Sequence, residues 1–256
     1  MAIKDNQPIL DIEQLDISFT TYSQGLHQRT AKTVEGLALQ LQSGEMMAVA
    51  GASGSGKSLL AHALLGILPS NATVEGNLFF KGEEMNAMSI KKWRGKEIAF
   101  IPQSVSCLNP LMKVGKFAGN KACSLFERYG LDKEVEKMYP HELSGGMARR
   151  VLISCAASTD ASLIIADEPT AGLNDELARE TVKHLRELAD EGKAVLLITH
   201  DLYLASQFVD KVTVLYEGRT IETVSVECLK SGRWKDSFTG MLWNSLPENA
   251  FLSAEE

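Results

Sequence analysis

Gly51-Ala52-Ser53-Gly54-Ser55-Gly56-Lys57-Ser58 combines glycines, a lysine and a closing hydroxyl in the pattern G-x-x-x-x-G-K-[ST]. Glycine lets a backbone wrap close to an anion and turn successive N–H groups inward. A helix beginning at Lys57 aims its positive end at the same point. Lys57 would neutralise phosphate oxygens, and Ser58 would ligate Mg²⁺. The segment therefore predicts a phosphate cradle.

Two further segments carry compatible chemistry. Leu163-Ile164-Ile165-Ala166-Asp167-Glu168 sets two carboxylates just past an apolar run. Asp167 is placed to hold Mg²⁺, directly or through water. Glu168 points elsewhere and would orient or deprotonate a water aimed at a terminal phosphate. An Asp-Glu-Pro turn is also a routine strand exit, and the phosphate loop is what weights it towards chemistry. Leu143-Ser144-Gly145-Gly146-Met147 precedes a helix carrying Arg149 and Arg150. Ser144 is a natural N-cap, and the glycines expose backbone N–H groups. Alone this is an ordinary capped helix. One triphosphate needs one cradle, so the economical explanation is that the second helix start serves a nucleotide on another copy.

The elements that must position these residues show in the hydrophobic pattern. Ile9 to Phe19 and Leu37 to Leu41 read as strands, with Thr20 to Lys32 a loop or hairpin connection. Met46 to Ala50 is a buried strand running into the glycines, and Lys57 to Leu68 is a helix. Gly76 to Lys81 and Ile98 to Ile101 are strands; Gln103 to His141 has the texture of a small appended subdomain. Gly146 to Ser158 is a helix and Ser162 to Ala166 a buried strand. In Asn174 to Glu191 the apolar positions Ala178, Val182, Leu185 and Ala189 give an amphipathic helix. Ala194 to Ile198 is a buried strand, and Val212 to Leu215 with Thr220 to Val224 form a hairpin around Glu217-Gly218. Strands apolar on both faces, alternating with helices, predict a mostly parallel sheet covered on both sides. Ligands in such folds sit at the carboxyl ends of the strands.

Composition narrows the function. Of 256 residues, 45% are hydrophobic and 23% charged, which excludes a mainly disordered chain. The net charge of -7 argues against a nucleic-acid binder held by phosphate contacts. Cys107, Cys123, Cys155 and Cys228 contain no C-x-x-C, so they read as reduced thiols and not as a zinc site. Met1 to Pro8 lacks the plan of a signal peptide. The longest apolar runs fall far short of the roughly 20 residues a membrane span needs. The expectation is a protein that stays in the cytosol and does not cross a membrane alone.

In their order along the chain, these residues resemble the ATP-binding subunits of ABC transporters, from about Ile9 to Val224. Gly51 to Ser58 looks like Walker A, and Gln103 after Phe100-Ile101-Pro102 like the Q-loop glutamine. Leu143 to Met147 resembles the signature motif. Leu163 to Asp167 looks like Walker B, with Glu168 as the family's catalytic glutamate, and Thr199-His200-Asp201 is similar to the switch histidine segment. Leu108-Asn109-Pro110, Tyr139-Pro140-His141-Glu142-Leu143 and Met147 resemble the oligopeptide, dipeptide and nickel importer ATPases. Lys235-Asp236-Ser237-Phe238-Thr239 to Leu246-Pro247 looks like a degraded form of their C-terminal motif.

The resemblance implies an α/β fold with a P-loop NTPase (RecA-like) core built on a mostly parallel sheet. An antiparallel N-terminal β subdomain and a small helical subdomain would complete it. A single ABC ATPase domain is implied over 1–256. Its nucleotide-binding core is 1–103 with 156–225, its helical and signature part 104–155, its tail 226–256. ATP and Mg²⁺ are the implied ligands. Glu168, His200 and Gln103 would be catalytic. Gly51, Ser53, Gly54, Ser55, Gly56, Lys57, Ser58 and Leu59 would hold the nucleotide, with adenine stacked on Phe19 or alternatively Tyr22. Ser144, Gly145 and Gly146 would close over a facing subunit's nucleotide, and Ser58, Gln103 and Asp167 would surround the metal. Partners would be a second ABC ATPase subunit, two integral membrane permease subunits and, indirectly, an extracellular substrate-binding protein, with no nucleic acid. The place would be the cytoplasmic face of a bacterial cell membrane.

The sequence departs from the family pattern at Asn174, where an Asp usually bridges the subunits, with Asp175 following. The stretch Ser104 to Glu142 is short for the subfamily, and Ala148-Arg149-Arg150 replaces the more usual Arg-Gln-Arg. These departures suggest one half of a heteromeric pair. Peptide, nickel or a metal–chelator complex remain open as cargo; by subfamily analogy, small size and the absent Cys cluster lean towards nickel or metal-complex import. A soluble ABC-type ATPase of DNA repair or translation is the alternative, although long coiled coils, tandem cassettes and basic surfaces are missing. A P-loop kinase or GTPase would leave Ser144 to Met147 and His200 unexplained.

Overall fold

Leu10, Ile12, Leu15 and Ile17 are all buried along β1 (Leu10–Tyr22). Their spacing slips by one residue after Ile12, where the ladders to both neighbouring strands are irregular. A bulge there turns both halves of the strand onto the same core, since a one-residue slip otherwise flips every side chain. Opposite the bulge sits Gly76, whose φ is +125° and whose Cβ would stand 1.5 Å from the Gln14 carbonyl oxygen. Only glycine fits.

The computed structural model, which describes residues 7–22 and 28–250, contains two sheets. In the first, β2 (Gln28–Leu41), β1, β4 (Ala72–Phe80) and β5 (Glu83–Glu84) lie in that order, all antiparallel. In the second, the order is β10 (Arg219–Ser225), β9 (Lys211–Tyr216), β3 (Met46–Gly51), β8 (Ala194–Ile198), β7 (Leu163–Asp167) and β6 (Ile98–Ile101). All of its neighbours are parallel except β9 and β10. That hairpin turns at Glu217 and Gly218, both at positive φ, the geometry of a tight two-residue turn.

Every residue of β7 and β8 is buried. Met47, Val49, Leu163, Ile165, Leu196 and Ile198 face one core, shared with the first sheet and with α1 (Lys57–Leu65) and α2 (Ala87–Trp93). Met46, Ala48, Ala50, Ile164, Ala166, Val195 and Leu197 face the other. That second core includes α3 (Gly115–Ala118), α4 (Ala122–Arg128), α5 (Gly145–Ser158) and α6 (Asp175–Asp190). The chain is thus an α/β P-loop NTPase fold with an added antiparallel layer. After β8 come α7 (Leu202–Ala205), then α8 (Val226–Lys230), α9 (Ser237–Asn244) and α10 (Pro247–Ala250). The tail folds back on β10, where the Glu222 carboxylate accepts the backbone N–H groups of Lys235 and Asp236 at 3.1 and 3.2 Å.

Several boundaries differ from the sequence reading, β4 for one beginning at Ala72 and not at Gly76. β1 and β2 run into Thr20 to Lys32, pairing as far as Tyr22 with Gln28, because backbone pairing continues where side chains are too polar to announce a strand. α1 stops at Leu65 and not Leu68, because Gly66 at φ +61° caps it and donates to Ala63 and His62 carbonyls.

Tyr129, at the end of α4, packs edge-on against His184 of α6, ring centres 4.9 Å apart. Its hydroxyl is buried and among the described residues has no hydrogen-bond partner, and burial pushes its pKa up to about 12. Tyr129→Phe should therefore leave unfolding free energy within about 1 kcal/mol or raise it, since an unsatisfied group is removed. Tyr129→Ala should cost about 3–5 kcal/mol. Urea titration of both variants checks this; a Phe variant as damaged as the Ala variant would show a hidden partner for the hydroxyl.

Candidate nucleotide-binding site

β3 delivers the chain to Gly51 at the carboxyl edge of the parallel sheet. A Cβ on Gly51 would lie 2.1 Å from the Leu215 carbonyl oxygen, so the first glycine lets the loop pack on β9. Gly54 and Gly56 turn the loop at φ +79° and +93°, and α1 begins directly after Gly56. The Lys57 ammonium reaches back across the loop to the Gly51 and Ala52 carbonyls at 2.8 and 3.0 Å. It is 8% exposed. Burial lowers its pKa, opposed by the charges of Glu168 and Asp167.

Ser58 donates its hydroxyl to Asp167 Oδ1 at 3.2 Å, tying α1 to the end of β7. Asp167 is 4% exposed. Burial raises its pKa, while the Ser58 bond pulls the other way. A buried carboxylate without full compensation beside a serine hydroxyl suits a hard cation. Among the described residues no group of three or more His, Cys, Asp and Glu could enclose a metal. Mg²⁺ fits such a site, since it takes one or two protein oxygens and otherwise phosphate and water.

One residue on, Glu168 adopts φ +46°, fixed by its N–H bond to the Ile198 carbonyl at 2.9 Å. A non-glycine residue held there marks a position whose side chain direction matters. Its carboxylate meets His200 Nδ1 at 2.7 Å and also accepts the His200 backbone N–H at 3.4 Å. His200 follows β8, and Asp201 behind it caps α7 by accepting the Leu204 N–H at 2.8 Å.

These side chains enclose a cavity of about 450 Å³. Ser53, Gly54, Gly56, Lys57, Ser58 and Leu59 form one wall; Gln103, Glu168 and His200 face them. Gly51, Ser55 and Asp167 lie behind this lining. Thr33 completes the rim, unannounced in the sequence. Its carbonyl packs on the β9–β10 turn, where a Cβ on Gly218 would stand 2.2 Å away. Only tertiary structure brings β2 there.

Other expected residues lie apart. Ser144 caps α5, its hydroxyl accepting the Met147 N–H at 3.3 Å, with open space around Gly145; neither residue, nor Gly146, lines the cavity. Phe19 pairs with Ala31 and Ala72 in the first sheet and packs half-buried on its core, off the cavity lining. The side chain of Tyr22 lies outside the described residues. Asn174 caps α6, its Oδ1 accepting the Leu177 N–H at 3.0 Å.

Proteins of known role show which family the chain belongs to. A probable D,D-dipeptide transport ATP-binding protein of Escherichia coli (strain K12) is 36% identical, over 85% of this chain and 72% of that protein. An oligopeptide transport ATP-binding protein of Mycobacterium tuberculosis is 34% identical over 92% of the chain, which spans 41% of its length. An ATP-binding cassette solved as a dimer in a post-hydrolysis state with ADP and Pi superposes with a TM-score of 0.72, at 22% identity, over 85% of this chain and 98% of that one. The ABC transporter model matches residues 34–171. The chain belongs to the ABC transporter family.

Proposed function

We propose that this chain is the ATP-binding subunit of a peptide importer, hydrolysing ATP in the cavity to drive uptake through partner membrane subunits. The observation that carries the chemistry is one cavity holding the Lys57 ammonium, the Ser58 hydroxyl and the Glu168–His200 pair. Lys57 and the loop N–H groups bind the phosphates. Mg²⁺, when bound, neutralises phosphate charge; Ser58 and Asp167 would hold it, with Gln103 facing Ser58 across the cavity. Glu168 accepts the proton of the attacking water, and His200 fixes that carboxylate through Nδ1 while leaving Nε2 towards the phosphate.

Ser144, Gly145 and Gly146 form an anion-ready helix start outside the cavity, which supports a facing copy or a homologous ATPase subunit whose nucleotide they cover. Asn174 in place of an Asp supports the homologous subunit. The names of the similar proteins support peptides as cargo and favour transport over a role in DNA repair or translation. Among the described residues no helix is long and apolar enough to cross a membrane. A place on the cytoplasmic face of a bacterial cell membrane then requires the permease pair, to which an external substrate-binding protein delivers cargo.

Co-expression tests this. With its permease pair the chain should sediment with membranes, and proteoliposomes of the complex should accumulate a labelled dipeptide only with MgATP. Sedimentation indifferent to the permease, or uptake of nickel and of no peptide, would contradict the proposal.

A further inference from the structure

Arg149 is a buried charge that the site chemistry leaves unused. It stands on α5, one turn past the Ser144 cap, and is 3% exposed. Among the described residues it forms no ion pair. Its guanidinium donates through Nη1 to the Pro102 carbonyl at 2.8 Å and through Nη2 to the Gln103 carbonyl at 3.0 Å. Its Nε–H is buried and has no partner among the described residues. Withdrawing a guanidinium from water without a counter-ion is costly, and interiors seldom leave such a donor orphaned. A fold that needed only to fill this space would do better with an apolar side chain.

The two carbonyls explain the arrangement. They belong to the peptide planes on either side of the Gln103 Cα. Peptide units are rigid, so pinning both planes fixes the direction in which the Gln103 side chain leaves the backbone. Gln103 itself is exposed, follows β6 and lines the phosphate cavity. A planar fork with donors in fixed positions suits two successive carbonyls better than a flexible ammonium does.

We infer that Arg149 is the positioning residue of Gln103, and that it joins the helix start at Ser144 to the wall of the cavity that Gln103 lines. α5 runs unbroken from Gly145 through Arg149, so a displacement at its N-terminus reaches the two peptide planes of Gln103 through the Arg149 guanidinium. A nucleotide docking on Ser144–Gly146 therefore adjusts the other site of the same chain. This inference rests on the reading of Gln103 as a cavity ligand.

The test combines hydrogen exchange on the purified chain with a double-mutant cycle on the chain in complex with its partner ATPase and permease subunits. Without nucleotide, Arg149→Gln should speed amide exchange across Ser104 to Leu108 and leave β7 unchanged. With MgATP, Arg149→Gln should lower turnover on the order of 10- to 100-fold. In a Gln103→Ala background the same change should alter turnover less than about twofold, because Arg149 acts through that side chain. Arg149→Lys, with its charge kept and the fork lost, should fall between, and it carries the same cycle if the Gln variant does not fold. Equal losses in both backgrounds, or unchanged exchange in Ser104 to Leu108, would overturn the inference. If Gln103→Ala itself leaves turnover untouched, the cavity-ligand reading falls and the inference with it. If Gln103→Ala is slow while the Arg149 variants match the natural chain, the inference alone falls.

Discussion

Glu168→Gln should bind MgATP as the natural chain does and hydrolyse it about 10²- to 10⁴-fold more slowly, the range expected for loss of a general base. The substitution is nearly isosteric. The amide oxygen still accepts from His200, and the backbone bond to Ile198 at 2.9 Å still holds residue 168 at its unusual φ. Only the capacity to take a proton is lost. Nucleotide then stays bound, and the facing pair should accumulate as a dimer in gel filtration with MgATP. Phosphate release measured beside nucleotide affinity separates the two effects. Turnover equal to that of the natural chain would remove Glu168 from the role of base.

Lys57→Ala should weaken nucleotide binding itself by about 10- to 150-fold, the equivalent of one or two charge-assisted hydrogen bonds at about 1.5–3 kcal/mol in total. The geometry of the loop sets the direction. The ammonium is buried, its pKa lowered by burial, and it is held by two loop carbonyls. An incoming phosphate supplies the anionic partner that those neutral carbonyls replace. Alanine removes that attraction and the brace across the loop together. Equilibrium binding of a fluorescent ATP analogue reads the loss, and equal affinity in the variant would contradict the cradle.

The sequence announced most of this site because its chemistry is local. Glycines, lysine and serine between Gly51 and Ser58 act within one turn of chain, so their spacing carries their purpose. The apolar runs of β3, β7 and β8 are buried on both faces, and a continuous run is what such a strand requires. What stayed hidden depends on distant segments meeting. Thr33 reaches the cavity because β2 packs against the Gly218 turn. Arg149 showed only as a departure from a motif; its bonds to Pro102 and Gln103 exist because α5 lies beside the end of β6. Gly51 read as a phosphate contact, whereas its close approach to Leu215 shows a packing role as well. The polar ends of β1 and β2 read as a loop because their pairing satisfies the backbone and buries little side chain.

The most direct measurement is a crystal structure of the Glu168→Gln chain grown with saturating MgATP. The account predicts a triphosphate wrapped by Ser53 to Ser58, with the Lys57 ammonium turned from the loop carbonyls onto phosphate oxygens and a second ATPase subunit presenting its Ser144–Gly146 counterpart from across the interface. A cavity that stays empty, with Lys57 still bonded to Gly51 and Ala52, would contradict it.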